Sequence, residues 1–327
     1  MTFSLSLDPY NVKPSDIEVY HEIWPNPWVM PIFMLLIGSI AFLLGFPILF
    51  VVHKYFRKEL HIDLQMGLFM VALDTASSLG IAFGGLLNLP PLNLMVKYHS
   101  LCIIQVFCVS TTLVTSMLIM GVIALERCLL IVYNIKLEDK VYWIIISVCL
   151  SIAVANDLMV VCTDSIGLQP SGGMCHYSVN TRYGRAAYII MLFTSAGSFC
   201  VLIVSYCKIV YNRHVTSRRE QLALGLDPAK VKRETNRTTV KLLSILVINL
   251  VTNLPYVITQ IVGLFDPTYY TPRVAFFTVP FLVLSLWWNS VIYLGLNEKI
   301  YIKLKETVNE WRAKYVRNHL DRLNISL

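Results

Sequence analysis

The sequence predicts an all-α membrane protein, a seven-transmembrane helix bundle followed by a short amphipathic cytoplasmic eighth helix. Three observations carry this expectation. The 327-residue chain is 56% hydrophobic and only 14% charged, whereas a soluble domain usually carries about a quarter charged residues. Its apolar residues gather in seven blocks, each near the roughly 20 residues that a helix needs to cross a bilayer core. Lysine and arginine are plentiful in every second gap between those blocks and scarce in the others, the signature of a chain threaded back and forth through a membrane.

The blocks cover residues 29–53, 64–87, 99–126, 141–162, 185–211, 240–264 and 274–296. The fifth includes Arg185 and Lys208 only near its ends, where long side chains reach the headgroups. Residues 1–28 are polar and lack the basic start and apolar run of a cleavable signal peptide. They read as an extracellular amino terminus, with the first span as insertion signal and 29–296 as the bundle. In 297–316, Ile300, Tyr301, Leu304, Val308 and Trp311 form one helical stripe among Lys303, Lys305, Arg312 and Lys314, an amphipathic helix lying under the membrane. Residues 317–327 form a short tail.

Orientation follows from the basic residues. Taken with their helix ends as 53–63, 126–140, 208–241 and 298–327, the segments after spans one, three and five and the carboxyl-terminal segment hold 22 of the 27 lysines and arginines. The positive-inside bias therefore puts the amino terminus outside and the carboxyl terminus in the cytoplasm. The basic segment 212–239 contains Arg218-Arg219 and Lys230-x-Lys232-Arg233, interrupted by a turn signal at Gly225-Leu226-Asp227-Pro228. Attraction to anionic lipid explains this charge without any nucleic-acid partner. Asn236-Arg-Thr and Asn324-Ile-Ser match the glycosylation pattern but fall on the cytoplasmic side.

Two of the eight cysteines stand apart. Cys102 opens the third span and Cys175 lies between the fourth and fifth. Both face the oxidising side, so a disulfide is permitted. The other six lie in spans or near the cytoplasmic face and read as small apolar packing residues. The third span closes on Leu125-Glu126-Arg127-Cys128. From Cys102 to Arg127 a helix rises about 37 Å, which crosses the bilayer. Asp74 lies in the second span, and WWNSVIY in the seventh precedes LNEKIYIKLKE.

With these residues the chain resembles the rhodopsin-like G-protein-coupled receptors over roughly residues 30–316. Glu126-Arg127 matches the acid-arginine pair that ends helix three in that family. Asn289 and Tyr293 match the Asn and Tyr of its helix-seven motif. Trp143, Tyr206 and Pro255 take the landmark positions of helices four, five and six. Departures are Cys128 after the arginine, Phe46-Pro47 after Gly45, Ser198 for the proline of helix five, Asn253 for the aromatic switch of helix six, and Ser290 for the proline of helix seven.

The resemblance implies a plasma-membrane receptor, not an enzyme, that transduces an extracellular small-molecule ligand to a heterotrimeric G protein. It implies a Cys102–Cys175 disulfide. Glu126, Arg127, Tyr206, Pro255, Asn289 and Tyr293 would form the activation switch, with Pro255 as hinge and Glu234, near the usual acidic slot at Thr235, as a second counter-charge for Arg127. Asp74 with Ser116, Ser285 and Asn289 resembles the family's sodium pocket. A purely structural hydrogen-bond cluster and a proton-uptake site remain open alternatives there. Gln105, Val109 and Leu113 on helix three, Ile190 and Thr194 on helix five, Tyr256 and Gln260 on helix six, and Val279 and Val283 on helix seven would line the ligand pocket. Val109 stands where amine receptors have an aspartate, so the lining suits a neutral or lipid-like molecule. Asn156 and Asp157, near the outer end of helix four, read as loop-facing caps, with ligand contacts as the alternative.

No cofactor beyond sodium is expected, because span 274–296 has no lysine to hold retinal. A seven-helix transporter or channel with Asp74 on its path is the main rival. A receptor fold that no longer couples to G proteins is the other.

Overall fold

A helix in lipid satisfies its backbone internally and needs only an apolar surface to stay there. Among the described residues there are seven such helices, each long and apolar enough to cross a membrane. The structure, a computed structural model, describes residues 22–56, 60–217, 219, 223, 227–266 and 268–324. Helix α1 spans Val29–Tyr55, α2 Ile62–Leu87, α3 His99–Val132, α4 Asp139–Cys162 and α5 Arg182–Asn212. A π-helical turn, Arg213–Ser217, extends α5. Helix α6 spans Pro228–Phe265, α7 Pro272–Leu296 and α8 Glu298–Asn324.

Between α4 and α5 lies a hairpin, β1 (Ile166–Leu168) against β2 (Cys175–Tyr177), antiparallel with Leu168 opposite Cys175. The Cys102–Cys175 disulfide joins β2 to the first turn of α3. The hairpin and the amino end of α1 thus share one end of the bundle, and α8 lies at the other.

Local chemistry sets several helix starts. Thr181 Oγ1 accepts the Gly184 N–H at the head of α5, and Thr271 Oγ1 accepts that of Val274 at the head of α7. Asp227 caps α6 through the Ala229 N–H, with Pro228 in the first helical position. The turn read at residues 225–228 therefore ends in a helix cap, although Gly225 and Leu226 lie outside the described residues. Helix α6 begins twelve residues ahead of its apolar block, because hydropathy marks only the lipid-embedded part of a helix, while the cap marks its start. Helix α8 likewise runs to Asn324, so residues 317–324 are helix and not a separate tail. Arg218, and the side chains of Lys230, Lys232, Glu234 and Thr235, lie outside the described residues.

Leu43 is 68% exposed and Phe193 76%; side chains of this kind on the outward faces of the spans demand lipid as solvent. Inside, Ile62, Met66, Ile119, Ile123, Ile146 and Ile209 pack α2–α5 together at the Arg127 end. Ile300 and Leu304 of α8 pack against Ile48, Val51 and Val52 of α1. Helices α1 and α2 approach so closely that a Cβ on Gly38 would lie 2.7 Å from Ser78 O, and one on Gly85 2.6 Å from Pro31 O. Small residues permit such backbone contact in membranes. Gly38→Val and Gly85→Val are expected to cost about 1–3 kcal/mol each, read as a lowered Tm in detergent, while Gly197→Ala, whose Cβ meets nothing within 4 Å, leaves Tm unchanged.

Candidate functional site

Beneath the hairpin, α3, α5, α6 and α7 line a cavity. Gln105, Val109 and Leu113 of α3 line it, with Met191, Leu192 and Ser195 of α5, Tyr256 and Gln260 of α6, and Leu282 of α7. Met174, Cys175 and His176 of the hairpin close one end, and all three are buried. No Asp, Glu, Lys or Arg lines the cavity.

The hairpin is held by a buried polar hub. Asp157, fully buried on α4, accepts hydrogen bonds from the Thr111 hydroxyl of α3 and the Tyr177 hydroxyl of β2. Ser110 Oγ lies 2.8 Å from the same Tyr177 hydroxyl. Asn156 Nδ2 donates to Ala187 O of α5 at 3.2 Å. Gln105 Oε1 accepts the Cys175 N–H at 2.9 Å, and Gln169 Nε2 donates to the Tyr256 hydroxyl at 3.2 Å. Asp157 and Asn156 are therefore not caps. The α4 C-cap is Thr163, and both residues face inward a turn or more before it, where lipid cannot receive them. His176 packs between Tyr177, Tyr188 and Tyr256. Burial holds its imidazole down to about 4, so the ring is neutral near pH 7.

At mid-bundle, Asp74 of α2 is 2% exposed, and its Oδ2 accepts the Asn289 Nδ2–H of α7 at 2.9 Å. Ser116 of α3 lies beside the same carboxylate. Asp74 Oδ1 and Ser116 Oγ are buried without a well-formed hydrogen bond. Ser285 Oγ, one helical turn before Asn289, donates to Leu282 O at 2.6 Å and keeps its lone pairs. One carboxylate and several neutral oxygens form a donor set suited to a small hard cation.

At the opposite end from the hairpin a second cavity is lined by Arg127 and Asp63, Tyr206, Asn249, Asn289 and Tyr293. Arg127 Nη2 donates to Asp63 Oδ2 at 3.4 Å across the α2–α3 interface, and Tyr206 lies beside the guanidinium. The neighbouring Glu126 is instead buried, with Oε2 unpartnered. A one-residue step turns a helix by about 100°, so Glu126 and Arg127 point to different surroundings. Tyr293 donates to Leu64 O at 3.4 Å. Helix α6 runs unbroken through Pro255.

The structure thus gathers Gln105, Val109, Leu113, Tyr256 and Gln260 at one cavity and Arg127, Tyr206, Asn289 and Tyr293 at the other. It sets Ile190, Thr194, Val279 and Val283 apart from the hairpin-end cavity. Thr194 turns back to Ile190 O at 2.9 Å, and Ile190 is exposed. Val279 and Val283 pack in a core cluster with Met30, Met34 and Ala41 of α1. Small rotations of α5 and α7 bring Met191, Leu192, Ser195 and Leu282 to the lining instead. The sequence reading also missed Asp63, counted as a loop residue, and the hub residues Thr111 and Tyr177. A carboxylate in the first turn of α2 is ordinary dipole compensation, and nothing local marks its partner across the bundle.

The family model described as 7 transmembrane receptor (rhodopsin family) matches residues 48–293. No individually curated protein matches the chain. Among solved structures, the crystal structure of squid rhodopsin is similar, with a TM-score of 0.70 at 16% identity, covering 92% of this chain and 87% of that one. At that identity the likeness is one of fold.

Two outcomes follow for the hub and its neighbour. Tyr177→Phe removes a donor from a buried carboxylate and is expected to cost about 1–3 kcal/mol, seen as a lower Tm. His176 binds a proton more readily unfolded, near 6.5, than folded, near 4, so stability falls as pH drops through that window. At pH 5 the loss is roughly 2 kcal/mol relative to pH 7, and the Tm of His176→Phe should lack that part of the pH dependence.

Proposed function

The chain belongs to the rhodopsin family of seven-transmembrane receptors, and from that premise we propose that it transduces an extracellular, uncharged, lipid-like ligand to a heterotrimeric G protein at the plasma membrane. The observation that carries the reading is the pair of cavities at opposite ends of one bundle, with the Asp74–Asn289 hydrogen bond between them. The hairpin-end cavity is the ligand site, on the extracellular side with the amino terminus. The Arg127 cavity is the transducer site, on the basic cytoplasmic face.

In this reading the work is conformational. Ligand binding favours a state in which α6 moves away from α3 about Pro255, and it does so only by its greater affinity for that state. Asp63 holds Arg127 in the resting state; freed, Arg127 would meet the G protein beside Tyr206 and Tyr293. Asp74, Ser116, Ser285 and Asn289 are the residues that would hold a sodium ion. The buried Asp74 Oδ1 and Ser116 Oγ, side by side without a well-formed hydrogen bond, support this reading; a hydrogen-bond cluster of the same residues is the alternative.

The same unpartnered Asp74 oxygen supports a second reading, an ion carrier with Asp74 on its path. Flux that depends on Asp74 and ignores Arg127 would favour the carrier. A chain that binds ligand yet never promotes exchange would instead be a receptor fold without coupling.

Basal nucleotide exchange on a panel of Gα subunits tests the proposal. Exchange above empty membranes is expected, and Arg127→Ala should abolish it. Asp63→Asn should raise it about fivefold, the effect of removing a partly buried pair of order 1 kcal/mol. An Asp63→Asn chain no more active than wild type would count against Asp63 as the restraint.

A further inference from the structure

The cavity beneath the hairpin specifies its occupant beyond an apolar lining. It offers no counter-charge, so a carboxylate or ammonium entering it would lose its hydration with nothing in return. Its polar groups are few. His176 Nδ1 accepts the Tyr177 backbone N–H at 2.8 Å, which fixes the ring proton of the neutral imidazole on Nε2. Among the described residues no hydrogen bond engages that Nε2–H. His176 therefore presents a single donor at the hairpin end of the cavity.

Gln260, in the last turns of α6, is 4% exposed, and its Nε2 has no hydrogen-bond partner. It lies beside the Tyr270 hydroxyl; the amide nitrogen carries two N–H donors, so at least one is left for another acceptor. Deeper in the bundle the lining is mainly Leu113, Met117 and Leu282, with Ser195 of α5 the hydroxyl among them. His176 and Gln260 sit toward the hairpin end and most of the hydrocarbon lies at the other.

We infer that the cavity takes a neutral amphiphile whose one accepting oxygen, of a carboxamide, ester or alcohol, meets His176 Nε2–H and Gln260, with its apolar chain directed toward the bundle centre. The inference rests on reading this cavity as the receptor's ligand site, and it adds the head group, its two donors and the orientation. A molecule of this kind dissolves in the bilayer, which suits a cavity whose outer end the hairpin covers.

The test uses the whole chain in phosphatidylcholine nanodiscs and five probes sharing one C18 monounsaturated chain length. Oleamide and methyl oleate carry a neutral acceptor, oleyl sulfate and oleyltrimethylammonium a permanent charge, and 1-octadecene no head. Affinity is read from the ligand dependence of Tm. Oleamide and methyl oleate should bind roughly tenfold more tightly than octadecene, the effect expected of one or two hydrogen bonds, and the charged probes should not bind. In the double variant His176→Phe/Gln260→Leu the tenfold advantage of oleamide should vanish while octadecene binding persists, which shows that the cavity is intact. Binding of a charged probe as tight as that of oleamide overturns the inference, as does an oleamide advantage that survives the double substitution. Silence from all five probes overturns it too. Basal nucleotide exchange by the ligand-free chain scores the receptor reading separately.

Discussion

Lipid offers no hydrogen-bond partner, and the polar architecture of this bundle follows from that constraint. Most hydroxyls inside the spans satisfy it locally. Thr75 donates to Val71 O, Thr115 to Thr111 O and Thr252 to Ile248 O, each to the preceding turn of its own helix. Other groups reach across and so fix one helix against another. Ser198 of α5 donates to Met117 O of α3 at 2.8 Å, and Asn212 donates to Ile131 O at 3.2 Å. A small remainder makes no well-formed hydrogen bond, including Asp74 Oδ1, Ser116 Oγ, Asn253 Oδ1 and Gln260 Nε2. Unsatisfied buried groups are costly and call for explanation. Three of these four belong to the mid-bundle carboxylate site or the ligand cavity, and Asn253 lies on α6 one turn from Asn249 of the second cavity.

The hub around Asp157 shows the same constraint acting as a positioning device. A carboxylate buried in the bundle must be received by donors, and the donors it finds are Thr111 of α3 and Tyr177 of the hairpin. Satisfying the acid therefore places β2. The disulfide anchors the same strand two residues earlier, and Gln105 holds the backbone N–H of that same cysteine, Cys175. With three attachments within three residues, His176 and Met174 are delivered over the cavity in a fixed pose. The neutral state of His176 follows from that placement and needs no charged neighbour.

Departures from the family pattern acquire physical roles in this setting. Ser198, in the place of a proline, supplies the hydroxyl that ties α5 to α3. Asn253, in the place of an aromatic ring, is fully buried and donates to Asn249 O at 3.1 Å and to Thr252 Oγ1 at 3.2 Å. This stretch of α6 thus faces the interior with amides in place of a ring. The distance between the two cavities is bridged by polar side chains on α2, α6 and α7, and coupling between the ends would pass through hydrogen bonds as well as packing.

The sequence by itself determined what depends on composition along the chain: seven membrane-length helices, an amphipathic eighth and two cysteines on one side. It also marked Asp74 and Arg127 as ionisable groups at two depths of the bundle, because a charge within an apolar run is legible without knowing its neighbours. Tertiary structure alone decided who those neighbours are. Arg127 pairs with Asp63 and not with the adjacent Glu126, and Asp157 receives Tyr177 and caps nothing. Leu282 faces the cavity while Val283 turns to α1. Each outcome is a matter of helix rotation and of contacts between residues far apart in the chain. A rotation of a single residue, about 100°, exchanges a lining side chain for a packed one, and hydropathy, which records only that a segment is buried in lipid, carries no such angle.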